Sequence, residues 1–384
     1  MPEQRTLTPA SSVDELLSAY KAGDVFLSAA TGALHTTGAV AVSDDVRGLD
    51  PLLGDAGPEG LVVGAVPFDP RRPARFVLPR TVRHAPEPPK GWASVLRRRP
   101  LPGEWGSAPV PAADEHGASI ERAVPLAAGG SGTNTAVSAG SLRMDSTSPV
   151  DPATVLNNLL WCDPGAFVFA FDLSGPGEGD RTLLGASPEL LVSKRGGRVV
   201  SNPLTGSAPR SADPTKDYRA RERLRAWTEG RREHAVVVDA VAESLKPYCR
   251  TLAVPREPEV VRTATRWHLS TRVEGALTDP DVPAHVLATA LRPTPAVCGL
   301  PPRSASETIG GPEPFDRGFH TGAVGYSTAR GDGDWVLTLD GAEVSRKGID
   351  LFAGAGVTVG SDPRAESAET TDGMRRLLFA LGVR

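Results

Sequence analysis

The spacing of apolar residues changes repeatedly along the chain, and each change predicts an element. Ser12-x-x-Glu15 is a capping-box pattern that opens a short helix running to Tyr20. The following stretch, DVFLSAATGALHTTGAVAV at 24–42, reads as strands separated by glycine turns, and a second apolar run spans Gly60 to Phe68. From 80 to 117 the chain is rich in Pro and Arg and has no usable period, which predicts an irregular surface connection. A helix is predicted from Val150 to Leu160 with Pro152 in its first turn, and Phe167, Phe169 and Phe171 then alternate as in a half-buried strand. TLLGASPELLVSK at 182–194, an RGG turn and RVVSNPLTGSAPR at 198–210 read as strand, turn and strand.

Lys216 to Tyr248 is the longest helical pattern, with Val237, Val241 and Leu245 on one face. TRWHLSTRVEG at 265–275 is strand-like, and Val282 to Leu291 forms a short helix that ends at RPTPAVCGLPP, where prolines and glycine impose an irregular loop. After a GDGD hairpin turn come the strand WVLTL and an apolar run broken by Gly354 and Gly356. Met374, Leu377, Leu378 and Leu381 give the last helix a buried stripe.

Composition narrows the function classes. The 384 residues suffice for a large core, and a net charge of -4 supplies no footprint for nucleic acid. The arginine run at 97–99 therefore reads as a solvated patch. Cys162, Cys249 and Cys298 are too scattered for a disulfide framework or a zinc site. MPEQRTLTPA lacks the apolar core of a signal peptide, and no apolar run is long enough to span a membrane, so a cytoplasmic monomer is expected.

Candidate chemistry lies in a few carboxylates. Glu366 and Glu369, three residues apart after Ser361-Asp362-Pro363, share a helical face. They are either a solvated helix start or ligands for a hard divalent cation. Glu189 enters the apolar run Leu190-Leu191-Val192 either as an edge residue in water or as a desolvated acid suited to proton donation. Glu233 sits in a highly charged stretch where plain solvation is the default.

Taken in order, GASPELL at 185–191, NPLTGSAPR at 202–210, REHAVVVDAV at 232–241, WHLSTRVEG at 267–275, PTPAVCGLP at 293–301, EPFDRG at 313–318 and FAGAGV through Glu369-Thr370 resemble the chorismate-utilising family, nearest to isochorismate synthases of the siderophore type. The resemblance is strong from 185 to 384, and PFDPRRPARFV is a weaker match upstream. It implies one α+β domain over 1–384, with large antiparallel sheets packed together, helices outside and the site between them. Within it, 1–145 is divergent and 146–384 carries the motifs. The resemblance also implies Mg²⁺ held by Glu233 and Glu369, with Glu366 beside them, and Glu189 as the acid that protonates the leaving C4 hydroxyl of a cyclic acid. Gly206, Ser207, Gly354 and Gly356 would offer close contacts to that acid. His268 matches a histidine near the substrate, with a satisfied core histidine as the alternative.

Several positions depart from the family pattern. The lysine that activates the attacking water has no counterpart: Ser138 or Ala139 takes its place, and no lysine occurs between Lys90 and Lys194. A second family lysine is Gly373 here, and the arginine that grips the enolpyruvyl carboxylate is Asp340. The histidine before PTP is Arg292, which either restores a positive charge to the site or faces solvent. Three readings follow: an isochorismate synthase, a magnesium enzyme repurposed for another cyclic acid, and a non-catalytic homologue.

Overall fold

The computed structural model describes residues 6–110, 135–175, 179–300, 316–358, 374 and 377–383. Glu366, Glu369 and Gly373 lie outside them. Most described strands form one unbroken series of neighbours. Starting from Val25–Ala29, one arm runs through Gly32–Ser43, Arg75–Ala85, Leu61–Val66, Ala323–Thr328, Gly333–Leu337 and Leu190–Arg195 to Arg198–Asn202, Val273–Leu277 and Cys249–Ala253. The other arm runs through Phe167–Asp172, Arg181–Ser187, Gly341–Ser345, Gly348–Thr358 and Thr135–Ser146 to Trp105–Val110. Among the described pairings only Thr6–Pro9 with Arg75–Ala85 is parallel.

The series folds over on itself. Val25, Leu34, Phe169, Phe171 and Leu183 from one side meet Val63, Val324, Val336, Leu190 and Val200 from the other in a central core. Helices cover both outer faces. Val13–Ala19 and Pro152–Cys162 pack with residues 377–381 over Val344, Ile349 and Leu351. On the opposite face Leu49–Asp55, Thr228–Leu245 and Ala284–Leu291 cover Val192, Val199, Trp335 and Leu337. The antiparallel α+β expectation therefore holds. No helix among the described residues is long and apolar enough to cross a membrane.

Capping follows the sequence signals. The Ser12 side chain accepts from the Glu15 N–H at 3.2 Å, while Glu15 reaches back to the Ser11 N–H at 2.8 Å. Asp151 and Asp213 cap the helices that begin at Pro152 and Pro214.

Four expectations need correction. Phe167–Asp172 is buried on both faces, because Val168 and Ala170 meet the outer helices while Phe169 and Phe171 meet the second sheet. The helical pattern from Lys216 to Tyr248 is two helices, Pro214–Ala226 and Thr228–Leu245. They part at Trp227, whose ψ of 97° leaves the helical region and whose ring occupies the space a side chain at Gly230 would need. Within 80–117, Arg75–Ala85 extends into the segment and Trp105–Val110 forms a further strand. The latter's side chains are almost all exposed, so it carries no alternation, and Pro109 is tolerated. Inside 292–302, Pro295–Cys298 makes a single helical turn and Gly299–Leu300 joins Thr135–Ser146.

Candidate functional site

The chain crosses between the two layers twice at one end of the sandwich. Pro188-Glu189 joins Arg181–Ser187 of one layer to Leu190–Arg195 of the other, and Thr338 to Asp340 joins Gly333–Leu337 to Gly341–Ser345. The crossings are tied together: Ala186 N–H donates to the Asp340 carbonyl at 2.9 Å, and Leu337 N–H donates to the Glu189 carbonyl at 3.3 Å.

Glu189 is therefore internal, only 2 % exposed. Burial pushes its carboxyl up to about 8, only partly offset by the Leu204 backbone N–H. It is a carboxylic acid, still protonated, at neutral pH.

Leu204 begins the strand Leu204–Pro209, which forms a small sheet with Arg266–Ser270 and Glu259–Arg262. Gly206 adopts φ +54° at a bulge in this strand, with the Trp227 ring close by. Ser207 lies opposite His268, and the Ser207 hydroxyl accepts from the Arg266 guanidinium.

The long helix is fastened to this sheet through His234. One ring nitrogen pairs with the Thr205 hydroxyl at 2.7 Å and the other with the Thr271 hydroxyl at 2.8 Å. Burial lowers His234 to about 4, so the imidazole is neutral and fixes the position of both threonines. Its chain neighbour Glu233 is half-buried. Burial and the nearby Glu229 carboxylate raise the Glu233 pKa, and no ion pair offsets that repulsion among the described residues.

His268 is half-buried and lines a cleft with Pro188, Asp340, Asp163, Thr263 and Thr265. The cleft thus brings His268 and Asp340 to the Glu189 crossing. Gly354 is exposed opposite Ala139 in Gly348–Thr358, and Gly356 follows opposite Val137. Ala139, one of the two positions expected to take the place of the family lysine, is buried.

Arg292 lies elsewhere. Its guanidinium donates to the Pro67 carbonyl in a separate crevice lined by Leu49, Phe76, His285 and Trp335, and burial lowers it to about 10. It neither faces open solvent nor joins His268 and Asp340. The arginine run is exposed, as expected of a solvated patch, with Arg98 donating to the Phe379 carbonyl and the Arg99 backbone held by Asn158.

Sequence reasoning did not assign roles to Thr205, Thr271 or His234. Their pairing depends on the register of strands far apart in the chain, for which the sequence carries no local signal.

Comparison with known proteins identifies the family. Residues 104–382 match the family described as chorismate binding enzyme. The isochorismate synthase DhbC of Bacillus subtilis is 40% identical over 405 residues, covering 100% of this chain and 99% of that protein. The vibriobactin-specific isochorismate synthase of Vibrio cholerae is 38% identical, covering 84% of this chain and 80% of that protein. The crystal structure of the putative 2,3-dihydroxybenzoate-specific isochorismate synthase DhbC from Bacillus anthracis superposes with a TM-score of 0.89 at 37% identity, covering 97% of this chain and 99% of that one. With the fold, the motif order and full-length similarity in agreement, the chain belongs to the family of chorismate binding enzymes.

Proposed function

We propose that this chain is an isochorismate synthase: water adds at C2 of chorismate, the C4 hydroxyl departs, and the ring double bonds shift between them. The observation that carries this reading is Glu189, a buried carboxyl with its pKa pushed up to about 8 where the two layers meet. Hydroxide is too poor a leaving group to depart unaided, and an acid still protonated at neutral pH can deliver the proton it needs.

Glu233 fits a magnesium ligand. Its carboxylate is desolvated and repelled by Glu229, and a hard cation would relieve both effects through an oxygen donor that suits Mg²⁺. Glu369 and Glu366 would complete the donor set. When bound, the ion would neutralise the ring carboxylate of the substrate. On this reading Ser207, His268, Gly206, Gly354 and Gly356 line the bound acid.

The absent lysine leaves no side-chain amine at 138 or 139 to deprotonate the attacking water, so that proton passes to solvent or to the substrate's own groups. Asp340 favours a second reading. A carboxylate in the cleft beside His268 is ill-suited to a second substrate carboxylate, so a cyclic acid lacking that group fits this part better.

The test is to incubate the protein with chorismate and Mg²⁺ and to separate the products by chromatography, with EDTA and a Glu189→Gln variant as controls. Isochorismate formed only with metal and intact Glu189 supports the first reading. Unchanged chorismate under all conditions refutes it.

A further inference from the structure

The small sheet joins the main series of strands through two links. Pro203 lies between Arg198–Asn202 and Leu204–Pro209, and Thr271-Arg272 lies between Arg266–Ser270 and Val273–Leu277. His234 spans both. Its Nδ1 pairs with the Thr205 hydroxyl just past the first link at 2.7 Å, and its Nε2 pairs with the Thr271 hydroxyl in the second at 2.8 Å. The links are also bonded to each other: the Thr271 N–H donates to the Pro203 carbonyl at 3.4 Å, and the Ser270 hydroxyl donates to the Asn202 side-chain oxygen at 2.9 Å. A closed circuit therefore runs from Pro203 through Leu204, Thr205, His234 and Thr271 back to Pro203.

The circuit is rigid because it is buried and complete. The imidazole is 1 % exposed and Thr271 only 3 %. A neutral imidazole has one donor and one acceptor, so one threonine hydroxyl accepts from it and the other donates to it, and both nitrogens are used. A fully satisfied buried network of this kind fixes the positions of its members.

Leu204 is the member that faces the acid. Its N–H favours the charged form of Glu189 and opposes the effect of burial. Among the described residues no charged side chain enters that balance, so the acid answers to its desolvation and to this one donor. The residues on either side of Leu204 are those that the circuit clamps.

We propose that His234 is a positioning residue: by bridging Thr205 and Thr271 it aims the Leu204 N–H at the Glu189 carboxyl, tying the acid to the helix that carries Glu233. This deepens the isochorismate synthase reading and rests on it. Without the bridge the Leu204 N–H drifts from the carboxyl, the Glu189 anion loses its donor, and the acid gives up its proton less readily.

The test reads Glu189 directly. Its protonated carboxyl is titrated by its infrared carbonyl band in the ligand-free proteins, the band being assigned by its absence from Glu189→Gln. His234→Leu is expected to raise the midpoint by about half a pH unit or more, since a hydrogen bond to a charged acceptor is worth about one. Thr205→Val, which removes one hydroxyl with little change of shape, is expected to move it the same way and covers the case in which His234→Leu does not fold. His234→Gln keeps a donor and an acceptor and is expected to return the midpoint towards the wild type. Leu245→Ala, at the buried far end of the same helix, is expected to lower the melting temperature without moving the midpoint. An unchanged or lower midpoint in His234→Leu and Thr205→Val, or an equal rise in Leu245→Ala, overturns the proposal. With chorismate and Mg²⁺, the alkaline limb of kcat/KM is expected to follow the midpoint upward. If the wild type leaves chorismate unchanged, the isochorismate synthase reading fails, while the infrared midpoints still decide on His234.

Discussion

Replacing Glu189 by Gln should stabilise the ligand-free protein by an amount that grows with pH. The Glu189 carboxyl titrates at about 8 in the folded chain against 4.5 as the ordinary value. Between those limits the folded state retains a proton that the unfolded state has lost. The contribution of this group to stability is therefore fully present below pH ~4.5 and is lost as pH rises towards ~8. At ~1.36 kcal/mol per pKa unit, the loss is under ~1 kcal/mol at pH ~5, ~3 kcal/mol at pH ~7, and just under ~5 kcal/mol above pH ~8. These are upper bounds, since relaxation and water entry lessen the penalty of a buried charge. Gln mimics the protonated acid and does not ionise, so it escapes the loss. Urea unfolding of both proteins across this pH range should give free energies that diverge steadily as pH rises, the variant being the more stable at neutral and alkaline pH. Turnover should nonetheless fall by ~10²–10⁴-fold, the usual contribution of general acid catalysis. Parallel stability curves would refute the assignment of Glu189 as a buried acid of raised pKa.

Glu233→Gln should raise the Mg²⁺ concentration needed for half-maximal turnover while leaving the melting temperature nearly unchanged, as a metal titration would reveal. His234→Leu should lower stability by about 2–4 kcal/mol in urea, because it removes two hydrogen bonds and strands the Thr205 and Thr271 hydroxyls. Asp340→Arg should lower the KM for chorismate if a carboxylate is gripped there, whereas an unchanged or higher KM would favour a substrate without that group.

The sequence made the motif-bearing strands legible because their signals are local. Gly196 in the RGG turn has φ +51°, and the strands on either side pair as the apolar runs predict. Glu189 left two readings open in the sequence because its neighbours along the chain do not determine its burial. Its environment comes from Leu337 and Leu204, residues remote in sequence that tertiary packing brings to it. The same distance hid the His234 bridge. Trp105–Val110 escaped detection because an exposed strand has no reason to alternate. Arg292 was ambiguous because its partner is a backbone carbonyl at Pro67, which no side-chain pattern announces.

The most direct test of the central claim is to run the reaction with chorismate and Mg²⁺ in water enriched in oxygen-18 and to analyse the product by mass spectrometry. Addition of solvent water at C2 with loss of the C4 hydroxyl predicts isochorismate carrying one heavy oxygen at C2, formed by the wild type and lost with Glu189→Gln. A product without label, or no product from active-folded protein, would contradict the account.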